Sequence, residues 1–133
     1  MRRWSTRTIG HIQAIPRILV VDDERNAADA LSAFLIFMGY DVRAAYSTWG
    51  AFAQMDDWTP EIVVLDISMP EYDGFVAVAA LRRSERTANA VIFAYTALME
   101  EHVKERDQEQ HFDAYCQKGA LDELVWLLKD SAA

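Results

Sequence analysis

Short apolar runs alternate along the chain with longer segments in which apolar residues recur at every third or fourth position. The runs Ile18–Val21 and Ile62–Leu65 are β-branched and aliphatic, too short for a helix and without polar alternation. This pattern is typical of strands that are buried on both faces, as in parallel sheets. The intervening segments, of which residues 22–39 are the clearest, carry the helical period and end at breakers such as Gly39.

Five such strand–helix pairs follow one another. The predicted strands cover residues 17–24, 40–47, 62–66, 89–98 and 112–118, and helical spacing covers residues 22–39, 47–58, 74–84, 99–110 and 121–130. This order predicts an α/β fold: a five-stranded parallel sheet, doubly wound and flavodoxin-like, in a (βα)5 arrangement with right-handed crossovers.

The segment before this pattern has a different character. Residues 1–16 contain Arg2, Arg3 and Arg7, no acid and no continuous apolar stretch, so they are not typical of a signal peptide. We interpret residues 1–16 as a partly disordered N-terminal extension and residues 17–130 as the folded domain.

The charge is unevenly distributed. The whole chain has a net charge of −8, and because residues 1–16 contribute +3, the rest carries −11. This acidity disfavours nonspecific nucleic-acid binding and suits a cation or a basic protein surface. A single cysteine, Cys116, and the lack of an apolar stretch near the ~20 residues of a membrane span predict a cytoplasmic protein without a membrane anchor.

Polar side chains collect where the predicted strands end. Asp22 and Asp23 follow the first strand, Asp66 the third, Thr96 the fourth and Lys118 the fifth. Since sites in open α/β sheets form at the carboxyl ends of the strands, these groups should meet at one edge. A strand-end aspartate is also a common turn or helix cap, and Asp22 or Asp23 could cap the first helix.

Three neighbouring carboxylates repel one another unless a cation lies among them. Oxygen ligands beside an open surface suit Mg²⁺, which together with Lys118 would neutralise the three acids. Such a site could receive a phosphoryl group on a carboxylate, with Lys118 and the Thr96 hydroxyl holding its oxygens.

Four motifs, in order and each at a strand end, give the chain a family resemblance. They are "VVDDE", "VLDISMPEYDGF", "YTA" and "DAYCQK". Over about residues 17–130, the chain resembles the receiver domain of bacterial two-component response regulators, of the stand-alone, chemotaxis-regulator type.

The resemblance implies a role for each matching residue. It makes Asp66 the phosphoacceptor and, with Asp22, Asp23 and the backbone carbonyl of Ser68, a ligand of Mg²⁺, Asp23 being the more direct ligand of the acidic pair. Three further residues complete the implied set: the switch hydroxyl of Thr96, the phosphate-binding Lys118 and the switch aromatic Tyr115.

The implied function is a signalling module rather than an enzyme. It would take a phosphoryl group from a sensor histidine kinase or a histidine phosphotransfer protein, catalyse only its own phosphorylation and dephosphorylation, and switch a surface toward an unknown protein target. We see no output domain after Asp130 and expect no direct nucleic-acid binding. One expected target is a second copy of the chain, bound in a homodimer through the fourth and fifth helices. The side chain of Trp126 should be exposed on the fifth helix, because it falls opposite the apolar residues expected to face the core, which are Leu121, Leu124, Val125 and Leu128.

Two other functions stay open at this point. A degenerate receiver would serve as a phosphorylation-independent interaction or dimerisation module. Two departures from the family pattern favour it: Gly119 stands where the family usually has proline, and the loop that follows is short. A phosphatase with an aspartyl intermediate usually needs a second acid two residues after the nucleophile, where Ser68 stands.

Overall fold

One six-stranded sheet organises the chain, in the order β1-β6-β5-β4-β2-β3. The computed structural model describes residues 2–9, 15–67 and 74–132. The strands are β1 Arg2–Arg3, β2 Arg17–Val21, β3 Asp41–Ala45, β4 Ile62–Leu65, β5 Val91–Thr96 and β6 Ala114–Gln117, and the helices are α1 Arg25–Phe37, α2 Thr48–Gln54, α3 Gly74–Arg83, α4 Glu100–Arg106 and α5 Leu121–Ala132.

The five strands β2 to β6 are parallel, which confirms the predicted architecture. All side chains of β4 and β5 are buried, as the apolar sequence of β4 and the mainly apolar sequence of β5 indicate. Alternate residues of these strands enter two separate cores. One core packs against α2, α3 and α4, and the other packs against α1 and α5, so helices cover both faces of the sheet.

The first helix begins at a cap that leaves the acidic pair at the sheet edge. The Glu24 carboxylate accepts hydrogen bonds from the amides of Asn26 and Ala27, and so caps α1 in place of Asp22 or Asp23. The helix ends before Gly39, whose φ of +101° favours glycine.

The N-terminal segment (residues 2–9) is the main departure from the sequence analysis. It contains a strand that the sequence pattern did not predict: β1 pairs antiparallel with β6, with Arg2 opposite Tyr115 and Arg3 opposite Ala114. An edge strand has unpaired backbone groups, and this segment pairs with the first two residues of β6. Residues 10–14 lie outside the described residues.

The last helix is rotated relative to its predicted orientation. Its buried side chains are Leu124, Leu127, Leu128 and Ser131, whereas Leu121 is 37% exposed. Trp126 is on the exposed side, as predicted. None of the described helices combines the length and apolarity needed to cross a bilayer.

Candidate functional site

Two aspartates are fixed at the carboxyl ends of adjacent parallel strands. The ladder continues one residue past β4, because the Asp66 amide donates to the Val21 carbonyl at 2.9 Å. Similarly, the Asp22 amide donates to the Ala45 carbonyl at 3.1 Å. Both side chains are nearly buried, Asp22 with 4% and Asp66 with 3% of its surface exposed. Their backbones therefore hold two carboxylates side by side.

Asp23 completes an acidic cluster at this edge. One carboxylate oxygen from each of Asp22, Asp23 and Asp66 lies within 4.8 Å of the others. Asp23 is exposed, so the cluster opens to solvent on its side. The three residues predicted from strand-end positions are thus brought together.

Lys118 bridges the two buried members of this cluster. Its Nζ lies 2.6 Å from Asp22 Oδ2 and 2.9 Å from Asp66 Oδ2. Its backbone amide donates to the Thr96 carbonyl at 2.9 Å, which ties the end of β6 to the end of β5. Lys118 is therefore positioned by the sheet as well as by its charge.

The turn after Lys118 is built without proline. Gly119 has a φ of +94°, a conformation that favours glycine, and its amide donates to the Tyr95 hydroxyl at 2.8 Å. No cis peptide bond occurs among the described residues. Tyr95 belongs to the motif "YTA" at the end of the fourth predicted strand, but the sequence predicted no role for its hydroxyl.

At both Asp22 and Lys118, burial shifts the pKa in one direction and the oppositely charged partner shifts it in the other. Burial raises the pKa of Asp22 above its usual value, and the hydrogen bond from Lys118 only partly opposes this. Burial alone would lower the pKa of Lys118, but hydrogen bonds and charge from Asp22 and Asp66 outweigh it, so that pKa is raised. The ammonium accordingly stays charged at neutral pH.

The donor set fits a hard divalent cation. Three carboxylates and one ammonium leave the cluster with an excess of negative charge, and carboxylate oxygens open to water on one side are the ligands that Mg²⁺ prefers. Ser68, whose carbonyl was predicted as a further ligand, belongs to residues 68–73, which lie outside the described residues.

The predicted switch residues Thr96 and Tyr115 are both hydrogen-bonded to the backbone of Leu98. Thr96 is fully buried at the end of β5, and its Oγ1 accepts a hydrogen bond from the Leu98 amide at 3.2 Å. The Tyr115 hydroxyl donates to the Leu98 carbonyl at 2.7 Å. The Tyr115 ring, which is 7% exposed, stacks on Trp4 with centroids 6.1 Å apart. The role of Trp4 was missed because a lone aromatic residue in a polar segment carries no periodicity.

Comparison with known proteins agrees with this geometry. Residues 18–128 match the family described as response regulator receiver domain. The chain is 36% identical over 111 residues to the DNA-binding dual master transcriptional regulator RpaA of Synechocystis sp., and the match covers 84% of this chain and 43% of that protein. It is 34% identical over 111 residues to the regulatory protein AtoC of Escherichia coli, covering 84% of this chain and 24% of that protein. The chain thus spans less than half the length of these relatives.

Solved structures show the same fold. Response regulator protein TrrA of Thermotoga maritima, solved in complex with Mg(2+)-BeF, is 30% identical with a TM-score of 0.74, covering 86% of this chain and 97% of that one. Chemotaxis protein CheY4 of Vibrio cholerae is 22% identical with a TM-score of 0.81, covering 88% and 98% of the two chains. The family match over most of the chain, with an aspartate cluster typical of a phosphorylation site, establishes that this chain belongs to the response regulator receiver domain family.

Proposed function

We propose that this receiver domain accepts a phosphoryl group on Asp66 from a phosphohistidine of a sensor histidine kinase or a histidine phosphotransfer protein. The observation that carries the proposal is the pair of contacts from the Lys118 ammonium to Asp66 and Asp22, two nearly buried carboxylates at adjacent strand ends. A carboxylate held in this way is a nucleophile whose partner cation is already in place.

The transfer requires few changes at the protein. An Asp66 oxygen attacks phosphorus, the bond from phosphorus to the histidine nitrogen breaks, and its electron pair stays on the imidazole. The product is an acyl phosphate on Asp66. Lys118 is close enough to stabilise the charge of the transferred group, and the Thr96 hydroxyl at the end of β5 would donate to one of its oxygens.

Mg²⁺ fits this function as the resident cation. Asp22, Asp23 and Asp66 would hold it, with the Ser68 carbonyl as a further predicted ligand. When bound, Mg²⁺ offsets the negative charge of the acids and of an incoming phosphoryl group. Asp23 is the exposed member of the cluster, so we assign it the ligand position closest to solvent.

The output of the domain is proposed to be a change in protein binding. Receiver domains interact with histidine kinases or phosphotransfer proteins, and this one would act as a signalling module that catalyses only its own phosphorylation and dephosphorylation. Trp126, 48% exposed on α5, lies on a surface suited to a protein target or to a homodimer through α4 and α5. The degenerate alternative gains no support, because the described acids and Lys118 are assembled together.

Covalent labelling tests this function. Wild type treated with acetyl phosphate and Mg²⁺ should gain one phosphoryl group by intact mass, and Asp66→Asn should gain none. Asp56→Asn, which alters an exposed aspartate after α2, is the matched control and should label like wild type. Equal labelling of wild type and Asp66→Asn would disprove the assignment.

The metal assignment has its own measurement. Calorimetric titration with Mg²⁺ should show weaker binding to Asp23→Ala than to wild type, because one of the three clustered carboxylates is lost. Indistinguishable binding to the two proteins would contradict the site.

A further inference from the structure

The N-terminal segment (residues 2–9) binds the domain as an added strand. The amides of Trp4 and Ser5 donate to the Asp113 carbonyl at 2.7 and 3.1 Å, and the Ile9 amide donates to the Ser131 carbonyl at 3.0 Å. The segment therefore runs from the edge of β6 to the end of α5. It occupies backbone groups that an edge strand would otherwise offer to another protein.

Charge pairing supplements these backbone contacts. The Arg3 guanidinium donates to Ser131 Oγ at 2.8 Å and lies 3.4 Å from the Asp130 carboxylate. The Arg7 guanidinium lies 3.0 Å from the Asp113 carboxylate, whose side chain is 3% exposed. The basic segment thus complements the acidic body of the domain.

Trp4 connects the segment to the buried tyrosine of β6. Its ring stacks on Tyr115 with an interplanar angle of 17°. Its Nε1 donates to the Glu100 carboxylate on α4 at 3.0 Å, and the Lys104 ammonium lies 5.7 Å from the ring centroid. Trp4 consequently bridges β6 and α4 directly over Tyr115.

A continuous series of contacts leads from Trp4 to the end of β5. Tyr115 donates to the Leu98 carbonyl, and the Leu98 amide donates to Thr96 Oγ1. The last of these hydrogen bonds, at 3.2 Å, lies at the long end of the normal range for an N–H donor and an oxygen acceptor. Thr96 is the final residue of the strand next to the one that Asp66 follows.

We propose that residues 2–9 form an intramolecular cover of the β6 edge whose docking is weakened when Asp66 is phosphorylated. The proposal rests on the proposed function. Recruitment of the Thr96 hydroxyl to a phosphoryl oxygen would draw Oγ1 away from the Leu98 amide, displace the Leu98 carbonyl and thereby disturb the Tyr115 position on which Trp4 stacks. Release then opens the β6 edge to strand addition by a protein partner. By linkage, a docked segment disfavours phosphorylation to the same extent.

Hydrogen exchange of the 133-residue chain tests the cover. Mass spectrometry follows the peptide containing residues 2–9, whose amides at Trp4, Ser5 and Ile9 are hydrogen-bonded to the domain. Treatment with acetyl phosphate and Mg²⁺ should accelerate its exchange by at least about fivefold, the lower end of ordinary coupling between sites. Asp66→Asn should show no acceleration.

Two tryptophan variants distinguish release of residues 2–9 from a general loss of stability. Without phosphorylation, Trp4→Ala should accelerate exchange of residues 2–9 but leave peptides of β4 and β5 protected. Trp49→Ala, which alters a tryptophan 77% exposed on α2, should change neither. If Trp4→Ala does not fold, the comparison of treated and untreated wild type decides alone.

The outcomes distinguish the two proposals. An acyl phosphate confirmed by intact mass, with exchange of residues 2–9 unchanged, would overturn the cover and leave the proposed function standing. Absence of the adduct would overturn the proposed function and the cover with it. Unchanged exchange in a folded Trp4→Ala protein would also overturn the cover.

Discussion

Gly74→Ala is predicted to be among the most damaging single-methyl changes in this domain. Gly74 begins α3, and a Cβ at this position would lie 2.3 Å from Ile67 Cα and 2.6 Å from Ile67 Cβ and Cγ2. The nearest of these atoms is backbone, so no side-chain rotation relieves the overlap. Either α3 or the chain at Ile67 must shift.

The structure gives the expected magnitude. Overpacking of a buried site costs about 1–3 kcal/mol, and a clash with backbone belongs at the upper end. The helix propensity of alanine would return less than ~1 kcal/mol at a terminal helical position. A net loss of about 2 kcal/mol lowers the urea midpoint by roughly 1 M, given a slope of ~2 kcal/mol/M. Because Ile67 follows Asp66 directly, labelling by acetyl phosphate should fall as well.

Gly50→Ala is the matched control for urea unfolding. A Cβ there would lie 3.2 Å from Ser47 Oγ and 3.7 Å from Ala45 Cβ, within the helix α2. The 3.2 Å approach requires a small shift of Ser47 Oγ, which caps α2, whereas removing a helical glycine gains up to ~1 kcal/mol, so this variant should stay within about 1 kcal/mol of wild type. Equal midpoints for Gly74→Ala and Gly50→Ala would refute the packing argument.

Three further predictions follow from buried polar groups. Lys118→Ala should destabilise the protein at pH 7 in the presence of a chelator, because it leaves the nearly buried Asp22 and Asp66 carboxylates without their ammonium. Burial raises the folded-state pKa of Asp22, and a group with a raised folded-state pKa destabilises the fold as pH rises, so the stability deficit of the variant should shrink as pH falls. Arg82→Ala should lower the free energy of unfolding in urea by about 3–5 kcal/mol, because the Arg82 side chain is only 10% exposed and donates to four backbone carbonyls and one carboxylate. The control Arg83→Ala alters an exposed side chain and should change the free energy of unfolding little. Burial raises the pKa of the Cys116 thiol to about 11, so alkylation at pH 8 should require unfolding.

Each of these three has an outcome that would contradict it. For Lys118→Ala it is a stability deficit that grows as pH falls. For Arg82→Ala it is a midpoint equal to that of Arg83→Ala. For Cys116 it is alkylation of the folded protein at the rate of the urea-unfolded chain.

The central sheet and its acidic edge were predictable from sequence because both depend on local patterns. An unbroken apolar run as short as Ile62–Leu65 favours a strand buried on both faces, and the residue after such a strand lies at the sheet edge. The parallel arrangement places Asp22, Asp66 and Lys118 at one edge, but their direct contacts depend on the reach of the Lys118 side chain past β5. The role of each group in phosphoryl transfer stays a prediction.

Neither the N-terminal segment nor the rotation of α5 was predictable in the same way. Two strand residues carry no period, so β1 depends on the open edge of β6. The predicted stripe through Leu121 and the observed stripe through Leu127 have equal helical spacing. In the structure, contacts from Arg3 and Ile9 to Ser131 lie on the observed side, and this tertiary information is absent from the helix sequence.

Chemical mapping of the phosphoryl adduct tests the central claim most directly. Borohydride reduces an aspartyl phosphate to homoserine with loss of phosphate, so it marks the acceptor permanently. After treatment with acetyl phosphate and Mg²⁺, peptide sequencing by mass spectrometry should find homoserine at position 66 and aspartate at positions 22 and 23. Homoserine at another position, or none at all, would contradict Asp66 as the phosphoacceptor.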